Sequence, residues 1–523
     1  MLDDSTAVPP GFLDAPLSYV GNSGRRSHDF MTAAEAERDE RVLDIVSVAS
    51  MLAFQYVVDG RTLLTDVRRI PWLDATAASP AQVGPSALDS YGRVIETPHR
   101  AAQELIRRLR RELERSFKQA QRVTILLSGG LDSRLSSAVL VGLARQSKVT
   151  DDIRAVSWGI PESRDRYYAS QVARRLGIKW TPIDLRPADL AANIRLSGLH
   201  LGAMVSPVHL HAIRAVRELD WHSADKILVS TLGNGIGRGT YLYRHVTYTR
   251  PIEPGDWLCL LRPDIRPYAL AGLARDLAEF RRRLRSRPPA AVHECEMLAH
   301  YLSGLLLPVF DLLRAKAPVH QAMSDPGTYG FLWSLTPFLR SGSMYREAVR
   351  LSGEGMADVP YALTNRPLKP LARPQHNGLS PFVHRYPHWI SHDLADLVDE
   401  ALDGEWFDAT GVFDGAAIRR VWRGLRQQPD PQPQAAYVLL WLCALRELME
   451  SLKIKAAGRP EMSGKPTVRQ GGCGGPGQPP PWGFAGRPPA SPWRRWTAVP
   501  EQCAAALQCL RARGTAGKPV QWR

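Results

Sequence analysis

One short turn, Ser128-Gly129-Gly130-Leu131-Asp132-Ser133, limits what this chain can fold into more than any other stretch of it. Before it stands the apolar run Val123-Thr124-Ile125-Leu126-Leu127, which reads as a buried strand. After it, Leu135 to Ala144 reads as a buried helix. A strand, a small-residue turn and a helix N-terminus together form an anion cradle. The glycines let backbone N–H groups approach an anion, and the helix dipole favours negative charge there. Ser128 and Ser133 add hydroxyls, and Asp132 suits a magnesium ion travelling with phosphates. The spacing is not the Walker A pattern and not the dinucleotide G-x-G-x-x-G.

The turn sits in an alternating series. A second strand, 153–158, leads into a helix at 165–176, and a short strand at 179–183 and two helical patterns lead to a strand at 226–230. This order predicts an α/β fold, a parallel sheet with helices on both faces, in which ligands bind at the carboxyl ends of the strands. From about 255 to 455 the pattern is mainly helical, clearest at 270–285, 294–313 and 434–452. Residues 1–40 read as polar and irregular. Two apolar runs, 51–58 and 61–66, flank Asp59-Gly60 and predict a β-hairpin, and a Pro, Ser and Ala rich link follows at 75–87. Three regions follow: a small degenerate β domain at 1–90, the α/β and helical body at 91–455, and a disordered basic Gly/Pro-rich tail at 456–523.

The chain has 523 residues, ample for a large core, and a formal charge of +15. Much of that charge lies in the tail and in a basic helix over 95–122, whose Leu105, Ile106, Leu109, Leu113 and Phe117 share one face. A solvated basic face explains the helix, and no nucleic-acid recognition pattern accompanies it. The longest apolar stretch, 297–310, is interrupted by His300, Ser303 and Pro308, so no membrane span is expected. Six scattered cysteines without a C-x-x-C pair argue against a disulfide framework or a zinc site, and no secretory signal is visible. A cytoplasmic setting fits. His209 and His211 stand two apart, and with no third ligand near they read as ordinary helix positions.

L-S-G-G-L-D-S resembles the pyrophosphate loop of asparagine synthetases, within the wider ATP-pyrophosphatase families. Asp165 to Gly177 is similar to their D-x-x-x-A-x-x-V-A-x-x-L-G helix. Lys226 to His245 resembles their second active-site segment, and Pro360 with Arg366-Pro367-Leu368-Lys369 their lysine-bearing element. Leu63 to Trp72 resembles the closing strand of a class II glutaminase domain. The resemblance implies an adenine nucleotide alpha-hydrolase-like fold and an ATP-dependent ligase that activates a carboxylate as an acyl-adenylate for attack by an amine. It implies ATP and Mg2+ as cofactors. Ser128, Gly129, Gly130 and Ser133 would cradle pyrophosphate, Leu127 and Ser157 would meet adenine, Gly233 would join the nucleotide site, and Asp132 would hold magnesium. Lys369 would stabilise charge at the acyl centre. It could equally be a surface lysine between two prolines. Arg134 could reach a phosphate or face solvent.

Two departures stand out. The glutaminase nucleophile is a cysteine at the mature N-terminus, whereas residue 2 is Leu and no Cys precedes 259. The amine is therefore expected from free ammonia, a partner or the substrate itself, as in relatives that close β-lactams or lasso-peptide macrolactams. The partners expected are a small-molecule or peptide carboxylate, an amine donor and a possible precursor peptide, with neither membrane nor nucleic acid. In the second segment, the family's acidic positions fall on Leu232, Gly235 and Ile236, and a one-residue slip offers only Asn234, a neutral and poorer metal ligand. A catalytically impaired ATP-binding or scaffold homologue is the alternative.

Overall fold

The computed structural model describes residues 13–14, 16–37, 41–58, 60–70, 90–239, 257–340, 342–353, 355–369, 372–375 and 377–455. The link at 75–87, the segment 240–243 and the tail at 456–523 lie outside the described residues. Met1–Glu461 is one compact unit.

The N-terminal part holds β1 (Tyr19–Gly21), β2 (Arg26–Ser27), α1 (Phe30–Ala36), α2 (Ile45–Phe54) and β3 (Val67–Arg69). The strands form a three-stranded antiparallel sheet in the order β2-β1-β3. Residues 51–54, expected in a hairpin strand, instead close helix α2. Asp44 caps that helix, its carboxylate accepting from the N–H groups of Val46 and Ser47. Ile45 to Leu52 are all buried, so the helix has no polar face and its apolar run could not declare a period. Residues 16–36 are not irregular either: Leu17, Tyr19 and Phe30 belong to the core.

The body continues with α3 (Pro98–Phe117), β4 (Arg122–Leu126), α4 (Asp132–Ala144), β5 (Ile153–Gly159), α5 (Arg164–Leu176), β6 (Lys179–Asp184), α6 (Pro187–Leu201), α7 (His211–Arg217), β7 (Asp225–Val229) and β8 (Val319–Gln321). Strands β4 to β8 form one parallel sheet in the order β6-β5-β4-β7-β8. The chain starts at the centre, steps outward twice, then returns to the other side of β4. Right-handed crossovers put α4 and α5 on one face, and the reversal puts the next helices on the other. The loops after β4 and β7 therefore meet at a topological switch point, where such sheets bind ligands. The three residues of β8 carried no sequence signal.

Helix α3 starts at the cap Thr97 and buries Leu105, Leu109, Leu113 and Phe117, as its spacing predicts. It also buries Glu112, whose carboxylate faces His320 of β8 at 3.0 Å. His320 bonds Asp14 at 2.7 Å on its other side. Although burial alone would lower it, these two carboxylates hold the imidazole up at about 10. Beyond the sheet the fold is helical, as expected. Among the described residues one helix, Pro289–Arg314, is long and apolar enough to cross a bilayer, contrary to the expectation from its broken apolar run, but most of its most apolar window is buried inside the protein. The three cysteines among the described residues are free thiols.

Candidate active site

The turn after β4 organises itself. The Ser133 hydroxyl accepts from the Ser128 N–H at 3.0 Å, and the two serine hydroxyls lie 2.9 Å apart. The Ser128 hydroxyl accepts in turn from the Gly130 N–H at 3.2 Å. Leu131, at the N-cap of α4, supplies no side-chain acceptor. The first-turn N–H groups of this thirteen-residue helix are thus left for water or a ligand.

Gly129 is required by protein packing rather than by a ligand. A Cβ there would come 2.8 Å from the Asp165 carbonyl oxygen and 2.8 Å from the Ala362 Cβ. The Gly129 N–H donates to Asp165 Oδ1 at 3.1 Å, and its carbonyl accepts from the Ala362 N–H at 3.2 Å. At Gly130 the same test meets only the Ser128 hydroxyl, so the open side of the turn is there. Burial pushes the Asp165 carboxyl up to about 6, against the Gly129 N–H and the charge of Arg134. The aspartate that opens the D-x-x-x-A motif thus faces the glycine turn.

Arg134 neither faces solvent nor presents itself to a phosphate. It is fully buried. Its guanidinium donates to the carbonyls of Met356, Val359, Pro360 and Gly129 at 2.6–3.2 Å. Burial lowers its pKa to about 10. The residue is a clamp fastening the segment 356–360 to the glycine turn. Lys369 lies further along that segment, but its side chain is exposed and pairs with Asp358 at 2.7 Å. Leu127 and Ser157 do come together, the Ser157 hydroxyl donating to the Leu127 carbonyl at 2.7 Å and accepting from Trp180 Nε1 at 3.1 Å.

The loop after β7 continues into a wide helical turn, Gly233–Gly237. It is moulded around Tyr345. A Cβ on Gly233 would stand 2.0 Å from the Tyr345 hydroxyl and 3.0 Å from the Asp132 carboxyl carbon, and one on Gly237 2.8 Å from the same ring. The two loops meet through Asp132, whose Oδ2 accepts from the Asn234 N–H at 2.6 Å. The contact is made by the Asn234 backbone N–H. Asp132 Oδ1 is buried and without a hydrogen-bond partner. Burial pushes this carboxyl up to about 6, opposed by the charge of Arg238, the Asn234 N–H and Tyr345. Arg238 closes the turn, its N–H donating to the Gly233 carbonyl at 2.8 Å. Its guanidinium donates to the Tyr361 hydroxyl at 3.2 Å and covers that ring at 5.3 Å.

One magnesium ion fits this donor set through Asp132 Oδ1. A second does not, because Leu232, Gly235 and Ile236 bring no carboxylate and a guanidinium stands nearby. Among the described residues no group of three or more His, Cys, Asp or Glu could hold a metal. His209 and His211 share a corner with His384, where burial first, then the neighbouring histidines, press His209 and His384 down to about 3.

The asparagine synthase family model matches residues 104–323, which hold both loops. That family uses ATP to form amides. No curated protein matches the chain. Among solved structures, the chain is similar to an NH3-dependent NAD synthetase from Campylobacter jejuni subsp. jejuni NCTC 11168 in complex with nitrate. That match has 14% identity and a TM-score of 0.19, covering 38% of this chain and 91% of the other. An NMN synthetase from Francisella tularensis gives 17% identity and a TM-score of 0.20, covering 46% and 94%. Likeness at that level says nothing about chemistry.

Proposed function

With an asparagine synthase-like domain over residues 104–323 as the premise, we propose that this chain is an ATP-dependent carbon–nitrogen ligase that works through an acyl-adenylate. A carboxylate oxygen attacks the α-phosphorus of ATP, and the bond to pyrophosphate breaks. An amine then attacks the acyl carbon, AMP leaves, and the amine gives up a proton. The product is an amide or a macrolactam of biosynthetic use. The observation that carries this reading is the self-bonded Ser128–Ser133 turn below an uncapped helix N-terminus, at the switch point of a parallel sheet.

In this reading the first-turn N–H groups of α4 and the open side of Gly130 receive the leaving pyrophosphate. The edge at Leu127 and Ser157 takes the adenine, and Gly233 keeps the second loop against Asp132. Asp132 would hold a magnesium ion, which would supply neutralising charge on the leaving group. Lys369 exchanges Asp358 for the developing acyl charge, a short swing for a side chain on the segment that Arg134 fastens to the turn. The described N-terminal strands are only two or three residues long, little for a glutaminase sheet. An amine other than glutamine-derived ammonia fits them.

The products decide it. Incubated with ATP, Mg2+, an amine and a panel of carboxylates that begins with L-aspartate, the chain should release AMP and pyrophosphate, and labelled pyrophosphate should exchange into ATP. Release of ADP and phosphate would overturn the adenylate. The Asn234 N–H on Asp132 Oδ2 and the guanidinium beside it favour a second reading, a homologue that binds ATP without turning it over. Binding with neither product released, across the whole panel, would select it.

A further inference from the structure

The second loop, residues 230–239, carries no carboxylate and one cation. Arg238 stands at the end of the Gly233–Gly237 turn, in the corner where Asp132 meets Asn234. Its hydrogen-bonded fastenings are neutral, a backbone bond from its N–H to Gly233 and a side-chain bond and ring contact to Tyr361, while the Asp132 carboxylate acts on it only through charge. Among the described residues no carboxylate oxygen lies within 4.0 Å of its guanidinium nitrogens, while Arg61, Arg214 and Arg340 all have such a partner. Tyr361 precedes Ala362, whose N–H is bonded to Gly129 of the phosphate turn. The guanidinium is therefore held over the gap between the two loops by a ring that is itself tied to the first loop. A second guanidinium, that of Arg346, follows Tyr345 and is close enough to feel the charge of Arg238.

Building on the ligase reading, we propose that Arg238 is a nucleotide-binding residue that takes the β- and γ-phosphates of ATP, in place of the magnesium ion for which the second loop has no ligand. A planar guanidinium bridges phosphate oxygens well, and its charge needs no coordinating carboxylates. The proposal accounts for three facts at once. The acidic positions of the second loop are apolar or glycine, a positive side chain stands in that corner, and Asp132 retains a single unpartnered oxygen.

The test is calorimetric titration of the full chain with ATP and, separately, with AMP, each with Mg2+ and with EDTA. Wild type is compared with Arg238→Met and Arg238→Lys, and urea melts confirm that each variant is folded. Arg238→Met should weaken ATP binding about tenfold or more, more in EDTA than in Mg2+, and leave AMP within about twofold. Arg238→Lys should recover part of the loss and guards against a misfolded Met variant. Unchanged ATP affinity in Arg238→Met would overturn the proposal, and so would an equal loss for ATP and AMP, which marks a structural role. Wild type that binds neither nucleotide would overturn the ligase reading and this proposal together.

Discussion

The loops after β4 and β7 face each other across the same switch point, yet they are built on opposite principles. The first is held by its own side chains, Ser128 to Ser133 and Ser128 to Gly130. It is then locked from outside by Asp165, Ala362 and Arg134. The second is shaped by what it accommodates. Gly233 and Gly237 exist to clear Tyr345, and the loop reaches the site by one backbone N–H and one arginine. A self-bonded loop keeps its sequence signature, because the serine bonds that shape it run between residues no more than five positions apart. A loop moulded around a distant tyrosine has no such local constraint and can lose its carboxylates without losing its fold.

The largest effect is expected where the first loop is locked from outside. Arg134→Leu leaves the buried carbonyls of Met356, Val359 and Pro360 without their donor, takes one of two donors from Gly129, and should cost about 3 kcal/mol or more in urea denaturation. A loss under about 1 kcal/mol would show that the loop does not depend on its clamp. Next comes the moulding of the second loop. Gly233→Ala should cost about 1–3 kcal/mol through its clash with Tyr345. Tyr345→Phe should return part of that loss in the double variant, because it removes the atom met first. Purely additive losses would detach the turn from Tyr345.

A smaller effect separates the loops by pH. The folded pKa of Asp165 is raised above its ordinary value, to about 6. Its stabilising contribution is therefore complete below about pH 4 and lost as pH rises through 6. Asp165→Asn keeps an oxygen for the Gly129 N–H and removes the titration. The variant should be more stable than wild type at pH 8 and gain nothing at pH 4. Thermal melts at the two pH values check this, and equal differences at both would contradict it.

How much the sequence disclosed follows the same contrast. The strand, turn and helix from Val123 to Ala144 were legible because an apolar run, a glycine pair between serines and a second apolar run follow one another directly. The parallel sheet was legible from its alternation. The role of Arg134 was not, since its carbonyl partners at 356–360 lie more than two hundred residues away. Helix α2 was misread because burial on every side erased its period, although Asp44 just before it was a cap signal. Arg238 could have been noticed as the one charged residue of the second loop. Its place beside Asp132 needed the topology. Lys369 reads in the sequence equally as a motif lysine and as a surface lysine, and the structure shows it exposed and paired with Asp358.

The central claim is that the first loop is a working phosphate cradle despite the altered second loop. Calorimetric titration of the full chain with ATP and Mg2+, wild type against Gly130→Val, tests it most directly. The valine side chain enters the open side of the turn, where its Cβ meets only the Ser128 hydroxyl. The account predicts ATP binding by wild type and a loss of about tenfold or more in the variant, at the stability cost of the Ser128 hydroxyl bonds that the valine displaces. Equal affinity in the two proteins, or none in wild type, would contradict it.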